Sequence, residues 1–458
     1  MGFSSRIALV PYWLCDQPHN LHFSDHRWWL DHLQMFDCIV FVGPYIHDAI
    51  WLAEDGRRRI SIKTDSLFVD IQEVFKNSLS PLGINPNHVS LYWHVMEVAA
   101  TCRVVNLQIL SCPRICVIGD THHMNRPITG LYEYLKSETF THVCCSHNQY
   151  NPFFSAVFNL RSIDFPFALS ENTSSQISPA AQTSFDHHLY YYGAILSSHH
   201  KHRSKIVNSL LVDCRVSNDF LVSSRMGFNQ WSQAVQRPHH NLTCSLNGTF
   251  SFQTFLPMLG GACLYTDPIS KANWVGSQLI SEVNCLVYYS SAGLVDSFLR
   301  YRGHSPELRL ISDSAKSSIS QYLKPLCLLR CEWLNGVPEE RCLTSGDESL
   351  LESRIKSHLT KYGYEETVEL IKIFEDVQEL HRQQWSISVF IYIHSVLSKQ
   401  ALKMVSSQRV LASMLAILPR CQITLNQQPH IKQETGGEEC IIINVFAEGK
   451  KILSKTLR

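Results

Sequence analysis

A chain of 458 residues is long enough for two to three domains at about 150 residues each. Apolar types supply 45% of it and charged types 17%, which excludes an intrinsically disordered chain. The 40 basic and 40 acidic residues balance, so neither a general nucleic-acid sheath nor an anionic-membrane binder is indicated, and any charged partner must be met locally.

In chain order, Ile7, Ala8, Leu9 and Val10 form a short apolar run closed by Pro11, as a buried strand requires. Ser24 then stands as N-cap to a helix carrying Trp28, Trp29, Leu30, Leu33 and Phe36, and 38–43 is a second buried strand. The alternation recurs with a strand at 114–119, a helix at 128–137, a strand at 141–146 and a helix at 152–159. Continuous apolar strands alternating with helices indicate a parallel sheet covered on both faces, hence a doubly wound α/β domain over 1–169. Ser, Thr, Asn, Gln and Pro dominate the next stretch, so 170–188 is expected to be a linker.

A second α/β domain is expected over 189–318, with strands at 189–193, 262–266 and 285–289 and a helix at 205–211. Two such domains predict a cleft at the carboxyl ends of their strands. Beyond it, 362–374 and 385–405 have near-helical apolar spacing, and 439–446 reads as a strand followed by a Glu448-Gly449 turn. The extension 319–458 is therefore expected to be mostly helical with a terminal strand pair. No internal repeat of fixed period is present.

No run reaches the ~20 apolar residues of a bilayer span, since 387–397 carries His394 and is too short. The start lacks a basic, then apolar, then small-residue leader. A cytoplasmic protein is expected, with peripheral membrane association left open. The 16 cysteines are scattered through apolar context in a chain far larger than disulfide-stapled scaffolds, and the sequons at Asn172, Asn241 and Asn247 carry little weight without secretion.

Three segments offer chemistry. Asp120, His122 and His123 follow a strand and precede a helix, where imidazoles can donate to a sugar hydroxyl or phosphate or act as acid and base; the plain alternative is a capping Asp120 beside solvated histidines. Ser245, Asn247, Gly248 and Thr249 precede a helix, and small residues there let backbone amides approach a diphosphate, although Asn-Gly is also an ordinary turn. His199, His200, Lys201, His202, Arg203 and Lys205 follow the strand that ends at Gly193; they suit a nucleotide diphosphate or make a solvated basic helix start. The sequence has no paired Cys-x2-Cys, so no metal site is expected among its 23 histidines. Phosphate-loop, nucleophile-elbow and Gly-x-Gly-x-x-Gly motifs are likewise missing.

Over about residues 1–320 the chain resembles bacterial GT-B glycosyltransferases of the group-1 and spore-maturation-protein-like branch. The likeness rests on Gly119-Asp120-Thr121-His122-His123 with Pro127-Ile128, Tyr192-Gly193 with the basic loop, Ser245-Leu246-Asn247-Gly248, Phe255, Gly260-Gly261 and Leu264-Tyr265-Thr266-Asp267. The resemblance implies two Rossmann-like domains facing a cleft, an acceptor side in 1–169 and a donor side in 189–318. It implies transfer of a sugar from a nucleotide-sugar donor to a glycan, lipid or protein acceptor, with no cofactor and no required metal. His122, His123 and Asp120 would serve the sugar and acceptor. Gly193, Arg203, Lys205, Ser245, Asn247, Gly248, Thr249 and Asp267 would bind the donor. Many relatives carry two glutamates in an E-x7-E arrangement. Those positions are Gly248 and Leu256 here, so either Asp267 or another group meets the ribose or donor binding is weak. The departure also motivates an alternative, a GT-B-like binding or scaffold protein working through its C-terminal helices.

Overall fold

The structure is a computed structural model. It describes residues 6–13, 33, 36–53, 56–96, 102–119, 127–145, 150, 154, 157–162, 186–193, 195, 201–223, 234, 239–245, 252–269, 278–303 and 306–319, four positions between 368 and 375, and the strands 422–428, 440–447 and 450–457. The chain divides into two compact units, the first built on Met1–Glu171 and the second beginning at Asn172. The change of unit falls at the polar segment expected to link two domains.

In the first unit, β1 (Ile7–Pro11), β2 (Cys38–Gly43), β3 (Ala49–Leu52) and β4 (Arg58–Lys63) are followed by the short β5 (Phe68–Asp70). Then come β6 (Val89–Met96), β7 (Arg103–Val105), β8 (Arg114–Ile118), helix α1 (Pro127–Ser137), β9 (His142–Cys145) and β10 (Arg161–Ser162). The large sheet has the order β10-β9-β8-β6-β1-β2-β4-β3, and β5 and β7 pair separately. All its neighbours are parallel except β3 with β4. The chain winds one way from β1 through β2 and the other way from β6, so the winding reverses between β1 and β6. Burial on both faces explains the unbroken apolar runs of β1 and β2, in which every residue is buried. Val10, Phe41, Trp93, Ile115 and Val117 share one core.

The second unit carries β11 (Asp186–Tyr192), helix α2 (Lys201–Val212), β12 (Phe220–Ser223), β13 (His239–Thr243) and helix α3 (Phe252–Leu259). β14 (Cys263–Thr266), β15 (Leu286–Val287) and helix α4 (Ser291–Tyr301) complete it. Its five-stranded sheet has the order β12-β11-β13-β14-β15 and is parallel throughout. Both units are thus parallel-sheet α/β structures. β11 takes in the last three residues of the expected linker, and α2 is longer than the expected 205–211 because the histidine-rich segment continues into its first turn. Leu189, Tyr191, Val207, Leu210, Leu294 and Phe298 join β11, α2 and α4 in one core. Leu256 and Met258 of α3 are buried outside that cluster.

Toward the carboxyl end, 306–319 is helical. β16 (Gln422–Gln428), β17 (Cys440–Ala447) and β18 (Lys450–Leu457) form an antiparallel sheet of three strands, one more than the expected terminal pair. The long helices expected at 362–374 and 385–405 lie almost wholly outside the described residues. Among the described residues, no helix is long and apolar enough to cross a membrane. Ten described cysteines are free thiols, nine of them buried. Burial pushes the thiol of Cys102 up to about 12 and that of Cys112 up to about 11, which keeps them protonated and unreactive.

Candidate functional site

The order of the second sheet decides where a ligand can sit. After β11 the chain passes through α2 to β12 on one side, and the later strands β13, β14 and β15 add on the other. The winding reverses between β11 and β13. Helices that leave neighbouring strands in opposite directions cannot cover the sheet's end there, and a crevice opens outside the carboxyl ends. The residues bordering this point are Gly193 after β11 and Cys244 and Ser245 after β13, brought level by a register that pairs Tyr191 with Leu242.

Gly193 has φ +154°, and a Cβ there would run into the side-chain amide of Gln253 and crowd the Tyr191 hydroxyl. Its amide donates to the Ser223 carbonyl at 3.1 Å, holding the strand end in place. Gln253 in turn offers its carbonyl to Asn241 Nδ2 at 3.4 Å. The positive φ favours glycine here, because a side chain would be strained in that backbone conformation.

Ser245 is buried, and its amide donates to Asp267 Oδ1 at 2.7 Å. Asp267, directly after β14, is 0% exposed and turns Oδ2 toward His202 Nε2 at 4.0 Å. The carboxylate thus ties the chain after β13 to the end of β14 and to the first turn of α2. A charge-assisted bond of this type is about twice as strong as a neutral one. Deep in the fold, Asp267 anchors the chain that follows β13.

Arg203 shows the same inward use. It is 8% exposed, and Nη2 donates to the Cys244 carbonyl at 3.1 Å. Tyr288 reinforces this point by donating to the Thr243 carbonyl at 2.9 Å and lying 3.0 Å from Cys244 Sγ. Burial pushes the Tyr191 phenol up, with Arg203 pulling the other way. Lys205, two residues further along α2, is exposed. Of the basic segment, His202 and Arg203 therefore face the protein, against Asp267 and the Cys244 carbonyl.

Gly193, Arg203, Ser245 and Asp267 are brought together at one end of one sheet, with Lys205 outside the cluster. Asn247, Gly248 and Thr249 lie outside the described residues, between Ser245 and α3. Asp120, His122 and His123 also lie outside the described residues; they continue from Gly119, whose amide donates to the Met96 carbonyl at the carboxyl end of β8. Leu256, at the second position of the two-glutamate arrangement, is 0% exposed, which explains why a leucine serves there. Sequence reading gave Tyr288 no role beyond a strand position. A phenol 45 residues from the carbonyl it supports leaves no local signal.

No family model matches this sequence, and no curated protein does. Among solved structures, sucrose-phosphate synthase from Thermosynechococcus elongatus is similar at a TM-score of 0.46 and 8% identity, over 72% of this chain and 99% of that one. HepE from Anabaena, solved with UDP, is similar at 0.45 and 10% identity, over 72% of this chain and 100% of its own. AviGT4, a glycosyltransferase involved in avilamycin A biosynthesis, is similar at 0.38 and 10% identity, over 72% and 98%. Scores of this size leave the functional reading to the residues themselves.

Proposed function

We propose that the chain is a glycosyltransferase that takes a sugar from a nucleotide-activated donor and delivers it to a glycan, lipid or protein acceptor. The observation that carries this reading is the switch point of the second sheet. There a glycine at positive φ, the chain leaving β13 at Ser245 and the start of a 12-residue helix lie at the carboxyl ends of parallel strands. Such an end is chemically suited to an anion, because helix N–H groups and small residues admit the oxygens of a diphosphate.

In the proposed reaction the donor's diphosphate lies over the chain after Ser245, with Asn247, Gly248 and Thr249 lining it. Breaking the glycosidic bond leaves negative charge on the departing diphosphate, which preorganised amides and nearby cations stabilise. Asp267, His202 and Arg203 serve by fixing that chain rather than by touching the phosphates. Lys205 is exposed and supplies charge from the rim. Asp120, His122 and His123 act on the acceptor side as sugar-binding and acid–base groups, and the transfer needs no metal or organic cofactor. A lipid acceptor would bring the protein to a membrane surface from the cytoplasm.

The commitment of Asp267 to Ser245 and the core position of Leu256 favour one second reading, a binding or scaffold protein with the same shell and weak donor affinity. Thermal melting with millimolar uridine and guanosine diphosphates and their sugar conjugates tests both. A ligand bound to the native state at 100 times its Kd adds about 2.7 kcal/mol, so a rise of a few degrees with one nucleotide series is expected. A flat response to the whole panel would remove the enzyme reading and leave the scaffold. Release of free nucleotide from a stabilising sugar conjugate would remove the scaffold.

A further inference from the structure

The opposite end of the second sheet holds an unusual juxtaposition. β11 opens with Asp186, His187 and His188, and here its register against β13 slips: Asp186 pairs with His239, but Leu189 pairs with the next residue, His240. His187 and His188 occupy the resulting bulge. Consecutive side chains of a regular strand point to opposite faces, whereas a bulge re-aims them. The two imidazoles accordingly lie together, with ring centroids 4.2 Å apart.

A carboxylate completes the group. The Leu189 amide donates to the Asp219 carbonyl at 2.9 Å, which sets Asp219 beside the histidines just before β12. One ligand atom from each of His187, His188 and Asp219 lies within 4.8 Å of the others. Arg302, after α4, donates from Nη1 to Asp219 Oδ2 at 2.6 Å and fixes the orientation of the carboxylate. A hydrogen-bonded outer partner of this kind commonly supports a metal ligand.

We propose that His187, His188 and Asp219 form a binding site for a divalent transition metal of the zinc type. Two imidazoles and one carboxylate suit zinc, cobalt or nickel, whereas magnesium and calcium prefer oxygen ligands alone. Tetrahedral zinc with bonds of about 2.0–2.2 Å places its ligands about 3.4 Å apart, so the side chains must draw in by roughly 1 Å. His187 is exposed and the other two are half-buried, so this adjustment leaves the core untouched. Water fills the remaining position. The ion would clamp the start of β11 to the turn before β12, at the amino end of the strands, away from the end where the nucleotide-sugar is placed. The site stands whether or not that functional reading does.

Zinc titration of chelator-treated, full-length protein by calorimetry tests this directly, with cobalt absorption reporting the geometry. One zinc per chain, a cobalt spectrum of low coordination number and a zinc-dependent rise in melting temperature are expected. His187→Gln with His188→Gln should weaken zinc binding roughly 100-fold or more, and Asp219→Asn about tenfold. Wild-type zinc affinity in the double variant, or no saturable binding to the native chain, overturns the proposal. Should the double variant fail to fold, exposed His187→Gln alone must show the loss, and unchanged affinity there overturns it equally.

Discussion

Buried polar side chains reveal most about how this molecule is held together. His94 in β6 is fully buried, with Nδ1 3.2 Å from the Tyr92 hydroxyl and the rings of Tyr134 and Phe140 around it. Burial lowers its pKa to about 3, partly opposed by hydrogen bonding of the ring to the Cys102 backbone, which favours the protonated form. In the unfolded chain the imidazole titrates near 6.5. Between those values the unfolded state carries a proton that the native state does not, so stability falls as pH falls from about 6.5 toward 3. From pH 7 to pH 5 this one group should remove about 2 kcal/mol. Urea unfolding of wild type and His94→Gln at the two pH values checks it: the variant should lose less stability by about that amount, and parallel losses would refute it. Arg203 and Asp267 illustrate a limit of reading such groups from sequence. Their residue types point to a ligand, but their partners are the Cys244 carbonyl 41 positions away and the Ser245 amide 22 positions away.

Elements were legible where burial is apolar. β1, β2, β8 and β9 consist of short uninterrupted hydrophobic runs and fall within about a residue of their expected limits. β13 was not legible: its sequence His-His-Asn-Leu-Thr contains a single apolar residue, yet it is central to its sheet. The fold accepts it because His240 bonds the Tyr265 hydroxyl at 3.1 Å, a partner 25 positions away. The proposed trio of His187, His188 and Asp219 escaped for a related reason, since a bulge and the turn before β12 assemble it without any Cys-x2-Cys spacing. One element-level contact makes a sharp prediction. At the end of β2, a Cβ on Gly43 would collide with the Tyr12 carbonyl, whose own amide donates to Val42 at 2.7 Å. Since that neighbour is backbone, Gly43→Ala must push β1 and β2 apart, at a cost of at least about 1–3 kcal/mol. A denaturation midpoint equal to wild type would show that this end of the sheet yields freely.

For the whole molecule, the presence of two units with separate hydrophobic cores has a thermodynamic counterpart. Phe298 is fully buried in the second core, packed edge-on against His240 and Tyr265 at 5.2 and 6.2 Å. Ile115 is fully buried in the first. Phe298→Ala should cost about 3–5 kcal/mol and Ile115→Ala about 2–5 kcal/mol, each acting on its own unit. Differential scanning calorimetry should therefore resolve two transitions, one lowered by each substitution, with any stabilising nucleotide raising the one that Phe298→Ala lowers. A single transition moved equally by both would contradict independent units. The parallel-sheet α/β class could be read from the sequence, because buried parallel strands are written as unbroken apolar runs. What escaped reading depends on chain segments meeting across long separations.

Asn241 lies inside β13 with only 2% of its surface open and its amide turned toward α3. An oligosaccharide cannot be attached to such a side chain without removing the strand from the middle of its sheet. If the polypeptide were exported during synthesis, a carbohydrate found at this position would mark molecules intercepted before they collapsed. Peptide mapping of this one position would then count the casualties of biogenesis, while the mature form would carry no carbohydrate there.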